Sequence, residues 1–159
     1  AHSQSNLILK TDGTVFSFGN GQNGMLGNGE NGGLQNSPAH VTALGSDNAL
    51  VDCGAQANAV LKTDGTVFIF GYGYEGNMLG LDKISGPNQL VPTQITTLGS
   101  DNSFVDIGDW HCLVLKIEGT MFGWGKGDFH ALGLGSTDHQ YSPVALTAFG
   151  SDNAQCSAG

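Results

Sequence analysis

One string limits what this chain can become. Leu-Lys-Thr-Asp-Gly-Thr-Val-Phe occupies residues 9–16 and returns unchanged at 61–68, and Leu-Lys-Ile-Glu-Gly-Thr-Met-Phe comes again at 115–122. At the same shifts of 52 and 54 residues come Phe-Ser-Phe-Gly (16–19), Phe-Ile-Phe-Gly (68–71) and Phe-Gly-Trp-Gly (122–125). Leu-Gly pairs stand next at 26–27, 79–80 and 132–133, and then Pro38, Pro92 and Pro143. Leu-Gly-Ser-Asp-Asn at 44–48 and 98–102 is answered by Phe-Gly-Ser-Asp-Asn at 149–153. Val-Asp-Cys-Gly (51–54) matches Val-Asp-Ile-Gly (105–108). So many landmarks in constant order define a repeat architecture, in which each unit buries its apolar face against the next.

Each repeat reads as a small antiparallel sheet. Two β-prone runs flank Asp12-Gly13, Asp64-Gly65 and Glu118-Gly119. Asp-Gly between such runs predicts a two-residue hairpin with both turn residues at positive φ. Val67 and Ile69 alternate with Phe68 and Phe70, so both faces of that strand are apolar and both should be covered. A third strand is expected after the Pro (His-Val-Thr-Ala-Leu, Gln-Ile-Thr-Thr-Leu, Val-Ala-Leu-Thr-Ala-Phe), and a fourth after Ser-Asp-Asn. Four strands in about 52 residues is the grammar of a propeller blade. The expectation is an all-β chain: a single repeat domain, 1–159, of three four-stranded propeller-type blades, with repeats at 1–53, 54–107 and 108–159. The chain holds 26 Gly in 159 residues, too many for helices, where each costs about 1 kcal/mol relative to Ala.

The charge balance narrows the partners. Five Lys, no Arg and 14 Asp+Glu give a formal charge of −9. Nucleic-acid binding needs Lys and Arg on phosphates and Arg on guanine, so neither nucleic acid nor an anionic membrane is an expected partner. No apolar run approaches the roughly 20 residues of a membrane-spanning helix. The first ten residues show no charged start and no apolar stretch of a leader. A mature secreted chain would lack a leader too, and the Gly/Asn-rich, Arg-free composition leans to an extracellular setting. Cys53, Cys112 and Cys156 cannot all pair within the chain; they read as buried or semi-buried thiols, with a Cys53–Cys112 bridge the alternative.

The third repeat carries Gly108, His111, Leu113-Val114-Leu115, Glu118-Gly119, Phe122, Trp124-Gly125, Leu132-Gly133 and Pro143. This pattern resembles the regulator of chromosome condensation repeat family, which implies a β-propeller with blades of this length. The first two repeats depart from it: Phe18 and Phe70 stand at the Trp place, and Ser5 and Ala57 at the His place. The resemblance implies structural roles for His111, Trp124, Phe18, Phe70, Gly19, Gly71 and Gly125, with the His111 ring bonding backbone between strands. It leaves function open, because the family includes small-GTPase exchange factors, chromatin binders and enzyme inhibitors.

The chemical motifs point away from catalysis. Gly-Asn-Gly-Gln-Asn-Gly at 19–24 has dinucleotide-site spacing, but the glycine-rich run after it, Met-Leu-Gly-Asn-Gly-Glu-Asn-Gly-Gly at 25–33, cannot form the helix that would receive a pyrophosphate. The string recurs in repeat register at 71–76 and reads as turn geometry. The Ser-Asp-Asn triplets at 46–48, 100–102 and 151–153, with Asp52 and Asp106, could suggest calcium. They lack the alternate oxygen ligands and closing Glu of a calcium loop, and they read as turns. His111 with Asp109 or Asp106 could form an acid–base group, but no nucleophile accompanies them. No cofactor, metal site or catalytic residue is expected. The candidates for recognition are loop tips: Tyr72, Tyr74, Glu75 and Met78 in the second repeat, Lys126, Asp128, Phe129 and His130 in the third.

Propellers of this family close at about seven blades, so three leave exposed edges. The expected function is a non-enzymatic scaffold whose repeats associate with other copies, as ring or filament, or with flanking repeats of a longer chain. The alternative is a partner-binding propeller segment of a larger protein, of the exchange-factor or enzyme-inhibitor type.

Overall fold

The computed structural model describes residues 4–73, 78–82 and 86–159. Eleven strands in these residues form three antiparallel sheets joined by short 3-10 turns. The first sheet contains β1 (Ser5–Leu9), β2 (Val15–Asn20) and β3 (Leu34–His40). The second has β4 (Asn48–Cys53), β5 (Ala57–Lys62), β6 (Val67–Gly71) and β7 (Gln89–Gln94). The third has β8 (Asn102–Ile107), β9 (His111–Lys116), β10 (Met121–Gly125) and β11 (Gln140–Ala145). Within each sheet consecutive strands pair as neighbours. This is the expected all-β blade architecture, except that the first sheet has three described strands.

Two of its cores lie between blades, as strands with two apolar faces require. Phe70 and Val60 of the second blade pack on Leu7, Val15, Val41 and Leu44. Val67 and Ile69, on the other face, join Leu98, Val105, Val114 and Trp124 of the next joint. Every blade is thereby held by its neighbours.

Three local features differ from the sequence expectation. The hairpins close over three residues: the amide of Gly13 bonds the Lys10 carbonyl, and Lys10 N bonds the Thr14 carbonyl. Only the glycines adopt positive φ (Gly13 79°, Gly65 81°, Gly119 87°). This is a tight turn followed by a left-handed bulge residue, and Asp12 and Asp64 serve it by accepting from Thr14 and Thr66. Second, the outer strands run through Pro38, Pro92 and Pro143 rather than starting after them. An outer strand tolerates a residue without an N–H, and the expected strand residues beyond the Pro instead make 3-10 turns such as Thr42–Leu44. Third, the strand after Ser-Asp-Asn pairs forward. β4 pairs with β5 and β8 with β9, so the second and third blades take their first strand from the preceding sequence repeat.

Candidate functional site

The joint between blades is built from the repeated motif residues, each reaching across to its neighbour. Asn48 Nδ2 donates to the Gly13 carbonyl (2.7 Å), Asn102 to Gly65 (2.7 Å) and Asn153 to Gly119 (2.9 Å). The approach is so close that a Cβ on Gly13 would lie 2.0 Å from the Ser46 carbonyl oxygen. Lys62 Nζ binds Asp47 Oδ1 at 2.5 Å and also the Leu44 carbonyl; Lys116 repeats this with Asp101 at 2.5 Å and Leu98. Both lysines are buried, so the ammonium is held where its apolar stem is covered and its charge is answered. These bonds hold the side chains of Asp47 and Asp101 below the usual carboxylate range. The Asp of the first two Ser-Asp-Asn turns thus answers a buried lysine, and the Asn of all three donates to the hairpin of the preceding blade.

At the hub, Asp52 Oδ2 accepts from the Ile107 amide at 2.6 Å, and Asp106 Oδ2 accepts in the same way from Ala158 N. Burial pushes the Asp52 carboxyl up. At mid-blade, the Met25 carbonyl receives Asn58 Nδ2 at 2.6 Å, and the equivalent Met78 carbonyl receives Trp124 Nε1 at 2.9 Å. Asn58 stands opposite Phe70, and Cys112 opposite Trp124. Where Phe70 has no donor to give, its cross-strand neighbour supplies one. At the rim, Gly29 N bonds the Leu90 carbonyl (2.8 Å) and Asp82 N bonds Tyr141 (3.1 Å).

These joints place the predicted structural residues. Trp124 and Phe70 are fully buried, while Phe18, on the first blade, is half-buried. Gly19, Gly71 and Gly125 sit at positive φ against the backbone of Gln4, Gln56 and Trp110. Among the described residues no bond from the His111 ring to backbone occurs; its carbonyl accepts from Gly108, and its ring rests on that glycine. Burial lowers the pKa of His111 while Asp106 and Asp109 oppose that shift. Cys53, Cys112 and Cys156 are free thiols. Among the described residues no group of His, Cys, Asp or Glu could hold a metal, and no helix is long and apolar enough to cross a membrane.

The recognition candidates separate. Tyr74 and Glu75 lie outside the described residues, and Tyr72 is half-buried. Met78 departs from the expectation of an interaction tip: it is fully buried in the joint, with its carbonyl holding Trp124. Three of the third-repeat group, Lys126, Asp128 and Phe129, share one depression. Lys126 Nζ sits 3.8 Å from the Trp110 ring centroid, and Trp110, His111, Lys126, Asp128, Phe129 and Ala131 line one surface depression. Phe129 is 98% exposed.

Phe129 and His130 both adopt left-handed φ, 56° and 60°. The same turn in the first blade, Gln22–Gly24, carries Asn23 (61°) and Gly24 (80°), residues suited to it. There Asn23 bonds Asn88 of the following blade, and a Cβ on Gly24 would lie 2.6 Å from the Gln89 carbonyl. His130 carries that Cβ.

The sequence pattern of the family described as "Regulator of chromosome condensation (RCC1) repeat" matches residues 12–61 and 118–159. The serine/threonine-protein kinase Nek9 of Mus musculus is 36% identical over 108 residues, 67% of this chain and 11% of that protein. The RCC1-like G exchanging factor-like protein of Mus musculus is 31% identical over 147 residues, 89% of this chain and 32% of that one. The chain therefore spans a third or less of these relatives. The crystal structure of Prp20p from Saccharomyces cerevisiae superposes with a TM-score of 0.82 over 93% of this chain and 38% of its own, at 20% identity.

Proposed function

Because the chain belongs to the regulator of chromosome condensation repeat family, we propose that it is a non-catalytic, partner-binding segment of a propeller, which meets its protein partner at the rim of the third blade. The exposed Phe129 carries this reading. It is displayed in a backbone conformation that costs a bulky residue about 1 kcal/mol or more, beside a lysine pinned on Trp110. A large aromatic ringed by polar groups is the usual centre of a protein interface. The names of relatives support a protein partner. One is called an exchanging-factor-like protein, and the study of Prp20p reports binding to Gsp1p and histones. The formal charge of −9 favours encounter with a basic protein surface over nucleic acid.

The test is interferometry with Gsp1p and with core histones as probes, on the chain and on Phe129→Ala. At least one probe should bind, with affinity falling tenfold or more in the variant. Equal binding by both proteins would remove the rim site, and no binding of either probe would remove the reading for these partners.

A second reading, association with other copies or flanking blades, is favoured by one observation. The ion pairs Asp47–Lys62 and Asp101–Lys116, each joining one sequence repeat to the next, leave Lys10 in the first repeat and Asp152 in the third as the two halves of one more.

A further inference from the structure

Two carboxyl groups meet at the hub between the second and third blades. Asp52, on β4, stands opposite Ala59, and Asp106, at the same place on β8, stands opposite Leu113. Asp52 Oδ2 accepts from the amide of Ile107, the residue next to Asp106, and its Oδ1 accepts from Cys53 N at 2.9 Å. The Asp106 carboxyl lies within side-chain hydrogen-bonding reach of it, while Asp106 Oδ2 takes the Ala158 amide. Two ionised carboxylates have no proton to put between them, and they repel. No described lysine answers them. Lys62 and Lys116 are held by Asp47 and Asp101 at the other end of these strands, Lys126 lies on Trp110 and Lys10 over Phe16. The other titratable groups facing the pair are Cys53 and Cys112 beside Asp52, and Cys112, Cys156 and His111 beside Asp106, with Asp109 acting on His111. β1, which packs on β4, brings no titratable side chain.

We infer that this hub is a proton-binding site: one proton shared between the Asp52 and Asp106 carboxyls draws the second and third blades together as the medium acidifies. The proton comes from solvent and rests on Asp52, whose O–H then donates to the Asp106 carboxylate. Asp52 holds it because the group is half-buried, and burial first, then the charge of Asp106, raises its affinity for a proton. The two groups titrate as a pair. A carboxyl whose folded pKa stands above its unfolded 3.8 binds a proton more readily in the fold than out of it. Stability is therefore gained as pH falls through the folded value, and the gain is complete below 3.8. Asp47 and Asp101 act in the opposite sense and titrate below 3.8, so above that pH the hub is read without them. The three thiols are raised and stay protonated over this range. His111 is lowered from 6.5 by burial, so it is the one neighbour whose titration has to be separated.

Carboxyl carbon-13 NMR titration of the full chain, with calcium chelated, is the test. Asp52 should titrate above 3.8 in the native chain. Asp106→Asn, whose amide donates to Asp52 instead of repelling it, should move that midpoint down by about one pH unit. Urea midpoints read the consequence. Asp52→Asn carries a donor toward Asp106 at every pH, so the native chain should gain on it as pH falls from 7 to 4. The same gain should persist when both chains carry His111→Gln. An Asp52 midpoint at or below 3.8, a midpoint indifferent to Asp106→Asn, or a gain that disappears with His111 would overturn the proposal. So would stabilisation at pH 7 by millimolar calcium that Asp52→Asn abolishes, since the pair would then hold a cation. Phe129→Ala should leave the Asp52 midpoint where it is, so this inference and the rim site fail separately.

Discussion

The substitution of Asn58 for a missing indole can be tested by exchanging the two solutions. Asn58→Cys leaves the buried Met25 carbonyl without its 2.6 Å donor, a loss of about 1–3 kcal/mol. Part returns, because Asn58 Oδ1 is itself buried without a partner and a thiol packs as a small apolar group. The net cost is about 1–2 kcal/mol. Phe70→Trp alone adds an indole N–H where Asn58 already holds the carbonyl and costs about 1 kcal/mol through overpacking. The double variant rebuilds the Cys112–Trp124 pair of the third blade. Ring space is matched: a Cβ on Gly27 would lie 2.9 Å from Phe70 Cε2, as one on Gly80 would lie 2.7 Å from Trp124 Nε1. The double variant should therefore recover about 1–2 kcal/mol relative to the sum of the singles. In urea unfolding followed by circular dichroism, with m of about 2 kcal/mol/M, that is a midpoint difference of about 0.5–1 M. A double variant no more stable than the summed singles would refute the claim that one donor replaces the other.

Four further outcomes are expected. Lys116→Met should cost about 2–3 kcal/mol, since the Leu98 carbonyl loses a charged donor, whereas Asp101→Asn should cost under about 1 kcal/mol because that carboxylate is mostly exposed; paired urea curves check the order. Asp47 and Asp101 are held below 3.8, so their contribution is complete above that pH and lost as pH falls through the lower folded values; Asp47→Asn/Asp101→Asn should flatten the acid limb of the urea midpoint. The Cys53 and Cys156 thiols are pushed up to about 11, and Cys112 further, chiefly by burial; at pH 8 about one in a thousand of the first two is thiolate, so disulfide-reagent labelling should be at least a hundredfold faster in urea than in the folded chain. Phe129→Asn with His130→Gly relieves two left-handed side chains and should stabilise the fold by about 1–2 kcal/mol, while weakening probe binding; calorimetry alongside interferometry reads both.

Particular residues show what could be read in advance. Strand order, the hairpins and the two-sided burial of Val67–Phe70 follow from local signals: turn glycines, β-branched runs and alternation. The forward pairing of β4 and β8 has no local signal, because a strand carries no mark of which sheet will complete it. Pro38, Pro92 and Pro143 suggested strand starts because their missing N–H matters only where that side of the strand is paired. The Lys–Asp joints were not among the sequence expectations, although a constant interval of 15 residues marks them, Asp47 to Lys62 and Asp101 to Lys116, because charge in a buried strand is usually discounted. Of the third-repeat loop candidates, Lys126, Asp128 and Phe129 share a depression with Trp110, which comes from the distant β8–β9 connection and joins them only through the fold.

The forward pairing has a consequence for how such an array can change length. The repeat as it runs along the sequence, 1–53 and 54–107, and the sheet that folds are out of step by one strand. An insertion or loss of one whole period, wherever its breakpoints fall, removes one first strand and the sheet that would have needed it, or adds both. Recombination between repeats therefore leaves every internal strand with a mate, and blade number can drift while each joint keeps its chemistry. What such drift cannot preserve is a blade's individuality. The His130 rim and the Asn58–Phe70 exchange are marks of blades that have stopped being interchangeable.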